Sequence, residues 1–420
     1  MQQVENKIVI GLPSIARNTI KYRYEVTGPW TEAFNSHQAF EVAYDMDISD
    51  VPASVAVVPL LSNVLPVAWV YDAEVVVPTC DADFYRCLPE VERGYEGMYP
   101  MLSFGGKLTV GEIEENHRSL EGAICLFSGG VDAFNTLIQH VGEKPVLLTI
   151  RGADIKLSDV RGWERVLRHV EAVSEDFNVC FHQVASNLKP FLDDSVLSRH
   201  VLASGDGWWH GFQHGLGLLG HAAPLAWKLH KSTVYIASSF TAADKGNYTC
   251  ASDPTIDNYV RFCGAKVVHD GYEFTRQEKV RNIVRYSRAT NTPIKLRVCW
   301  ESEGGSNCCS CEKCLRTILA VYAEGADPRD FGFDFDDIGG LGRSFRRRFS
   351  LLGSESRLLQ RYVPIQEAMR ENRDASEVPE GLRWFYSGNL ERLVHSSLLK
   401  RVATKFARKA RHGLTRLVGR

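Results

Sequence analysis

Two stretches of this chain carry residue types at spacings that do chemistry. The first runs from Ala123 to Phe134. An apolar run ends in Ser128-Gly129-Gly130-Val131-Asp132 and passes into a helical pattern at Phe134, Leu137, Ile138 and Val141. A strand that turns through glycines into a helix is the geometry that cradles phosphate. Backbone N–H groups approach the oxyanion closely, and the helix N-terminus adds its partial positive charge. Ser128 can donate a hydroxyl hydrogen bond, and Asp132 can cap the helix or help hold a magnesium ion. A Gly-Gly turn after a buried strand also occurs with no ligand, so this stretch alone leaves both readings open.

The second stretch lies about 170 residues downstream. Cys308, Cys311 and Cys314 are spaced three apart, and Cys299 precedes them by nine residues. Four thiolates so spaced fit a tetrahedral zinc site, with a compact knuckle supplying most ligands and the fourth arriving from a strand end. Cys309 is the spare, because adjacent cysteines rarely bind one ion in that geometry. Disulfides, free core thiols and an iron–sulfur cluster are the alternatives.

The elements that must position these residues read as follows. Residues 1–118 have the composition of a β-rich domain, with strand patterns at Val4–Ile10, Tyr22–Val26, Phe40–Tyr44, Val55–Leu61, Val67–Val70 and Ala73–Val77. The uncharged stretch Val51–Tyr71 is long enough to cross a bilayer. Pro52, Pro59 and Pro66 argue for buried strands there instead. Asp81–Leu88 reads as a short helix stopped by Pro89. Residues 119–335 alternate strands and helices, the signature of an α/β domain with a parallel sheet. Its strands are expected at Pro145–Ile150, Val179–Val184, Thr233–Ala237, Val267–Val268 and Ile294–Cys299. Its helices are expected at Val160–Val173, Trp208 to about His230, Thr275–Tyr286 and Leu315–Tyr322. Ligands sit at the carboxyl ends of strands in such sheets.

Two further groups are weaker candidates. His210 and His214, four apart, would share a helix face, but no third ligand accompanies them. Asp244, Tyr248, Asp253 and Asp257 lie in a polar loop and read either as ligands for magnesium or substrate or as plain turn residues.

The chain has 420 residues, with 49 Lys and Arg against 51 Asp and Glu. That near-balance hides a basic, mainly helical C-terminal region over 336–420. From Lys400 to Arg420 there are eight cations and no acid. Interleaved Leu398, Leu399, Val402, Phe406, Leu414 and Val418 make this a basic amphipathic helix for an anionic surface, nucleic acid or membrane, or else a solvated end. The eleven cysteines suit a reducing cytoplasm better than a secreted disulfide scaffold.

Together the two motifs resemble the PP-loop ATP pyrophosphatases, and among them the 7-cyano-7-deazaguanine synthase family. The matching residues are Ser128 to Ala133, Arg276-Gln277-Glu278, Cys299, and Cys308 through Cys314. The resemblance covers roughly residues 120 to 325. It implies an adenine nucleotide alpha hydrolase-like sheet that binds ATP with Mg2+ through Phe127, Ser128, Gly129, Gly130, Val131, Asp132 and Ala133. Ser128, Asp132 and Arg276 would serve the chemistry, and Cys299, Cys308, Cys311 and Cys314 would hold Zn2+. It implies an AMP- and pyrophosphate-forming ligase that adenylates a small-molecule carboxylate, such as a deazapurine, and joins it to ammonia or another nitrogen donor. A homo-oligomer is expected. Ala133 stands where the family has a second serine, and Cys309 where it has glycine. The alternatives are a non-catalytic nucleotide sensor or assembly protein, and a tRNA-modifying adenylating enzyme.

Overall fold

The computed structural model describes residues 5–35, 39–299, 305–349 and 355–393. The expected basic amphipathic tail lies outside them. The chain divides into two compact units. The first runs to Lys279, and the second holds Val280 onward apart from Glu303–Gly305.

All the described strands fall in the first unit. The early ones are β1 (Lys7–Ile10), β2 (Ser14–Ala16), β3 (Thr19–Lys21), β4 (Tyr24–Thr27) and β5 (Glu41–Tyr44). Next come β6 (Glu74–Asp81), β7 (Lys107–Glu114), β8 (Ala123–Leu126), β9 (Val146–Arg151) and β10 (Phe181–Ser186). The last are β11 (Thr233–Ala237), β12 (Arg261–Phe262) and β13 (Ala265–Asp270). A four-stranded sheet has the order β4-β1-β6-β7, and a nine-stranded sheet has the order β12-β13-β11-β8-β9-β10-β5-β3-β2.

The five middle strands of the large sheet, β13-β11-β8-β9-β10, are mutually parallel. Their apolar runs (Ala123, Ile124 and Cys125; Leu147 and Leu148; Val234) are buried, as expected of strands covered on both faces. In chain order the sheet grows from β8 through β9 to β10, then returns to β11 on the other side of β8. The strand order therefore reverses beside β8, and the loop at Ser128 leaves β8 at that reversal.

The expected boundary at 118 does not separate sheets. β5 pairs antiparallel with β10, and β3 and β2 continue that edge, so residues from before 118 complete the large sheet.

Three local expectations are corrected. Val51–Tyr71 forms helices, Ala53–Ala56 and Val58–Tyr71, where strands were expected. The second helix is buried over nearly its whole length, and an uncharged run buried on every side carries little period to tell helix from strand. Pro59 sits in the first turn, where its missing N–H costs nothing. The helix closes at Asp72 in the left-handed conformation, whose N–H bonds Ala68 O. No helix among the described residues is long and apolar enough to cross a membrane.

The helix after β6 runs from Ala82 to Met98, straight through Pro89. Its buried Phe84, Leu88, Val91 and Tyr95 recur at helical spacing, and that apolar face outweighs one lost hydrogen bond. Asp81 caps it. One carboxylate oxygen accepts from Phe84 N at 3.1 Å and Cys263 N at 2.9 Å, while the other accepts from Asn116 at 2.9 Å.

Ile294–Cys299 joins no sheet among the described residues. Its backbone is satisfied by Phe331 O, which accepts from Leu296 N, and by the side-chain amide of Asn307.

Candidate functional site

The loop at Ser128 is anchored by the neighbouring strand β9. Phe127 N donates to Leu148 O at 2.8 Å, and Thr149 Oγ1 donates to Phe127 O at 2.8 Å. Phe127 is buried and Ser128 is exposed. Gly129 has φ +76°, a left-handed conformation that glycine adopts without steric cost. Gly130 is the N-cap of the helix Val131–His140 and has no side chain to offer its amides. Ser128 Oγ accepts weakly from Gly130 N at 3.4 Å. The first-turn amides therefore have no capping side chain, which is the condition under which a helix N-terminus takes an anion.

Asp132 does not cap this helix, because capping geometry belongs to the residue before the first turn. It lies within that turn, and its carboxylate meets two cations. Arg276 Nη1 donates to Oδ2 at 2.7 Å, and Lys279 Nζ lies 3.5 Å from Oδ1. The sequence motif brought Asp132 and Arg276 forward, and the fold places them together. Lys279 was missed. Its side chain is 2% exposed, and its ammonium donates to Ser238 O, at the end of β11, at 2.5 Å. A signal existed in the reciprocal cap of the helix Arg276–Thr290. Thr275 N donates to Glu278 Oε2 at 2.7 Å, and Glu278 N to Thr275 Oγ1 at 3.3 Å. That cap fixes the helix start and sets Arg276 and Lys279 three apart on one face. Ala133 is buried at 4% exposure, so the position that lacks a serine is part of the helix's packed side.

At the far end of the helix Val131–His140 a second polar group assembles that no motif announced. His140 bonds Asp270, the last residue of β13, and Glu143, each at 2.8 Å, and stacks on Tyr235 with ring centroids 3.8 Å apart. Burial pulls the His140 pKa down, but the hydrogen bonds to Asp270 and Glu143 outweigh it and hold His140 above its ordinary 6.5. The next residue, Gly271, has φ +75°, and a Cβ there would crowd Asn135 and Lys279.

The weaker candidates take other roles. Trp209–Gln213 is a π-helical turn closed by His214 N on Trp209 O, which breaks the spacing that would stack His210 over His214. Asp244 caps its own turn with Thr241, and Asp253 caps the helix Pro254–Asp257. Asp257 is fully buried and bonds His269 at 2.8 Å and Ser252 at 2.7 Å, so it is no exposed ligand. Burial raises its pKa, and the bond from His269 opposes that. A surface cavity of about 550 Å³ is lined by Asn6, Glu32, Tyr71, Asp72, Phe104 and His200 among others, and by none of the loop residues.

In the second unit Cys299, Cys308, Cys311 and Cys314 converge, with all four sulfurs within 4.8 Å of one another. This cluster can chelate a metal ion. Asn307 pins its two arms, accepting from Val298 N and Cys299 N and donating to Leu296 O at 2.7 Å and Gly332 O at 2.9 Å. Backbone amides aim at the sulfurs, with Cys311 N 3.2 Å from Cys308 Sγ and Cys314 N 3.4 Å from Cys311 Sγ. Such donors favour the thiolate form that binds metal. Without metal, burial pushes the Cys311 thiol up to about 11 and Cys314 higher still. Loading the site therefore releases protons and strengthens as pH rises. Cys309 is buried at φ +52°, strained for any residue but glycine. In the first unit Asp83, Glu115 and His117 also lie within chelating distance, although Asp83 already accepts from Gly264 N and His117, and Glu115 pairs with Arg86.

No family model matches the chain, and neither a search of curated proteins nor one of solved structures finds a match.

Two outcomes follow. Purified protein should carry one thiol-bound metal per chain. Cys311→Ser should lose it and Cys309→Gly should keep it with a higher unfolding midpoint, read by elemental analysis and thermal melts. Metal retained in Cys311→Ser would contradict the assignment. The second concerns His140, whose folded pKa is raised. Its stabilising contribution is complete below about pH 6.5 and is lost as pH rises through the folded value. The stability gap between wild type and His140→Gln in urea should therefore be larger near pH 6 than near pH 9. A gap independent of pH would show that His140 does not titrate against Asp270 and Glu143.

Proposed function

We propose that the first unit binds ATP at the Ser128–Ala133 loop and that the chain is an AMP-forming ligase, activating a small-molecule carboxylate for C–N bond formation. The observation that carries this reading is the position of the loop. It leaves β8, the middle one of the sheet's five parallel strands, where the strand order reverses, which is where open α/β sheets bind ligands. Three details support it. The glycine turn gives the backbone close access, the first-turn amides have no capping side chain, and Arg276 and Lys279 bring two cations to the single carboxylate of Asp132 in that turn, leaving one net positive charge.

In this reading a carboxylate oxygen of the substrate attacks the α-phosphorus of ATP. The bond to the bridging oxygen breaks, and pyrophosphate leaves with the electron pair toward the loop. A nitrogen nucleophile then displaces AMP from the acyl-adenylate and gives up a proton. Charge builds on the departing phosphates, so uncapped first-turn amides and the net positive charge of the Asp132–Arg276–Lys279 cluster would lower the barrier. The carboxylate of Asp132 is committed to Arg276 and Lys279 and makes a poor magnesium ligand by itself. Mg2+ is therefore assigned no protein ligand and would travel with the phosphates.

For the second unit we infer zinc. Zn–S bonds of about 2.3 Å at tetrahedral angles put sulfurs about 3.8 Å apart. Cys299 and Cys311 lie at 3.8 Å, and Cys308 and Cys314 at 3.9 Å. Four sulfur ligands leave no open position, so this zinc braces the knuckle and activates no water.

Ala133 favours one rival, a nucleotide-binding protein without turnover, because an apolar residue stands where the resembled family has a hydroxyl. The test is AMP and pyrophosphate formation from α-labelled ATP, with and without 7-carboxy-7-deazaguanine and ammonium, and with other carboxylates. Carboxylate-dependent AMP is expected, and Ser128→Ala should lower kcat by about 100–1,000-fold. ATP binding with no AMP under any condition would overturn the ligase in favour of the rival. Ala133→Ser is then the variant in which to look for recovered turnover.

A further inference from the structure

The helix Ile338–Phe349 of the second unit contains Arg343, Arg346, Arg347 and Arg348 and no acid. Its orientation is fixed by its apolar side. Phe345 and Phe349 are buried, and Phe345 packs on Tyr362 and Trp384 with ring centroids 5.2 and 5.6 Å apart. The opposite side is then exposed: Arg343, Ser344, Arg346 and Arg347 all face solvent. Arg343, Arg346 and Arg347 stand at i, i+3 and i+4, so their guanidinium groups project from one face.

The local acids neutralise little of this charge. Arg343 lies 3.6 Å from Asp337, just before the helix, which carries its own hydrogen bonds from Gly339 N and Gly340 N. Arg346 and Arg347 have no acidic partner among the described residues. The helix C-terminus offers only about half a negative charge, too little to balance them. Arg348 turns elsewhere. Its Nη1 donates at 2.8 Å to the carbonyl of Ser310, which sits between the metal-site residues Cys308 and Cys311. The knuckle thereby steadies the end of the helix that carries the cations.

We propose that this arginine face is a docking surface for the phosphodiester backbone of a nucleic acid. Charge complementarity selects an anionic partner. Arginine selects phosphate, since its planar fork donates two parallel hydrogen bonds to phosphate oxygens and keeps its charge at any working pH. The exposed face carries no large apolar side chain, so it lacks what an interfacial helix needs to enter a bilayer. Contacts of this kind to the phosphate backbone carry no sequence information, so the binding proposed is independent of sequence and sensitive to salt.

The test uses the full-length, metal-loaded protein and fluorescence anisotropy. The probes are a labelled duplex DNA and a labelled hairpin RNA of about 20 base pairs, at about 50 and about 200 mM salt. The triple variant Arg343→Gln/Arg346→Gln/Arg347→Gln should bind at least about tenfold more weakly at the lower salt. Its log–log salt slope should be shallower by about two to three units. A control variant, Arg161→Gln/Arg165→Gln/Arg168→Gln, alters a helix where Glu164 and Glu171 already interleave with the arginines. It should bind like wild type. The relative response to DNA and RNA identifies the natural backbone.

Equal binding by the triple variant would overturn the proposal. So would wild-type binding to phosphatidylserine vesicles with none to either nucleic acid. Metal content and the thermal midpoint verify that the triple variant is folded. Should it fail that check, hydrogen exchange on wild type decides. Slowed exchange over 338–349 on adding RNA supports the surface, and unchanged exchange there under saturation overturns it.

Discussion

The ion cluster at Asp132 is the constraint on which the first unit's site depends. A carboxylate in the first turn of the helix Val131–His140 is held 2.7 Å from Arg276 and 3.5 Å from Lys279, whose ammonium also grips the carbonyl at the end of β11. A nearly buried lysine is costly unless its charge is balanced and its donors are used. Asp132 and Ser238 O meet both needs. The result ties three pieces distant in sequence: the turn after β8, the end of β11 and the start of the helix Arg276–Thr290. Removing Asp132 would do more than delete one ligand, because it would leave Lys279 buried without its counter-charge. The same cluster leaves one net positive charge in the first turn of a helix whose amides have no capping side chain, and that pairing makes the loop suited to an anion.

The second unit solves a different problem. Cys299 lies on a segment without a ladder, and the knuckle has little apolar mass of its own, so convergence of the four sulfurs rests on polar scaffolding. Asn307 bonds both arms and the carbonyl of Gly332, and backbone amides point at Cys308 and Cys311. A metal ion drawn to those sulfurs would convert binding free energy directly into local folding free energy. Cys309, held in a conformation that favours glycine, draws down part of that gain.

Sequence reasoning reached what is encoded locally. The strand-turn-glycine pattern located β8 and its loop, Thr233–Ala237 was read with its observed limits, and four cysteine positions sufficed to foresee their cluster. What escaped it was set by tertiary contact. Val58–Tyr71 is buried on all sides and so carries no periodicity. Pro89 reads as a stop because the buried face that carries the helix past it is visible only once Phe84, Val91 and Tyr95 find their partners. The edge strands β2, β3 and β5 belong to the large sheet through pairing across more than a hundred residues, as in Ser186 with Val42. Lys279 lay within reach, since Thr275 and Glu278 mark the helix start, whereas His140 and Asp270 meet only through the folded sheet.

The proposed function requires that the Ser128–Ala133 loop hold phosphate. The direct measurement is amide hydrogen exchange of this segment during a calorimetric titration with a non-hydrolysable ATP analogue. Saturable binding with slowed exchange at Gly129 to Ala133, and loss of both in Arg276→Ala, is the predicted result. Absence of binding, or binding that leaves exchange in the loop unchanged, would contradict the nucleotide site.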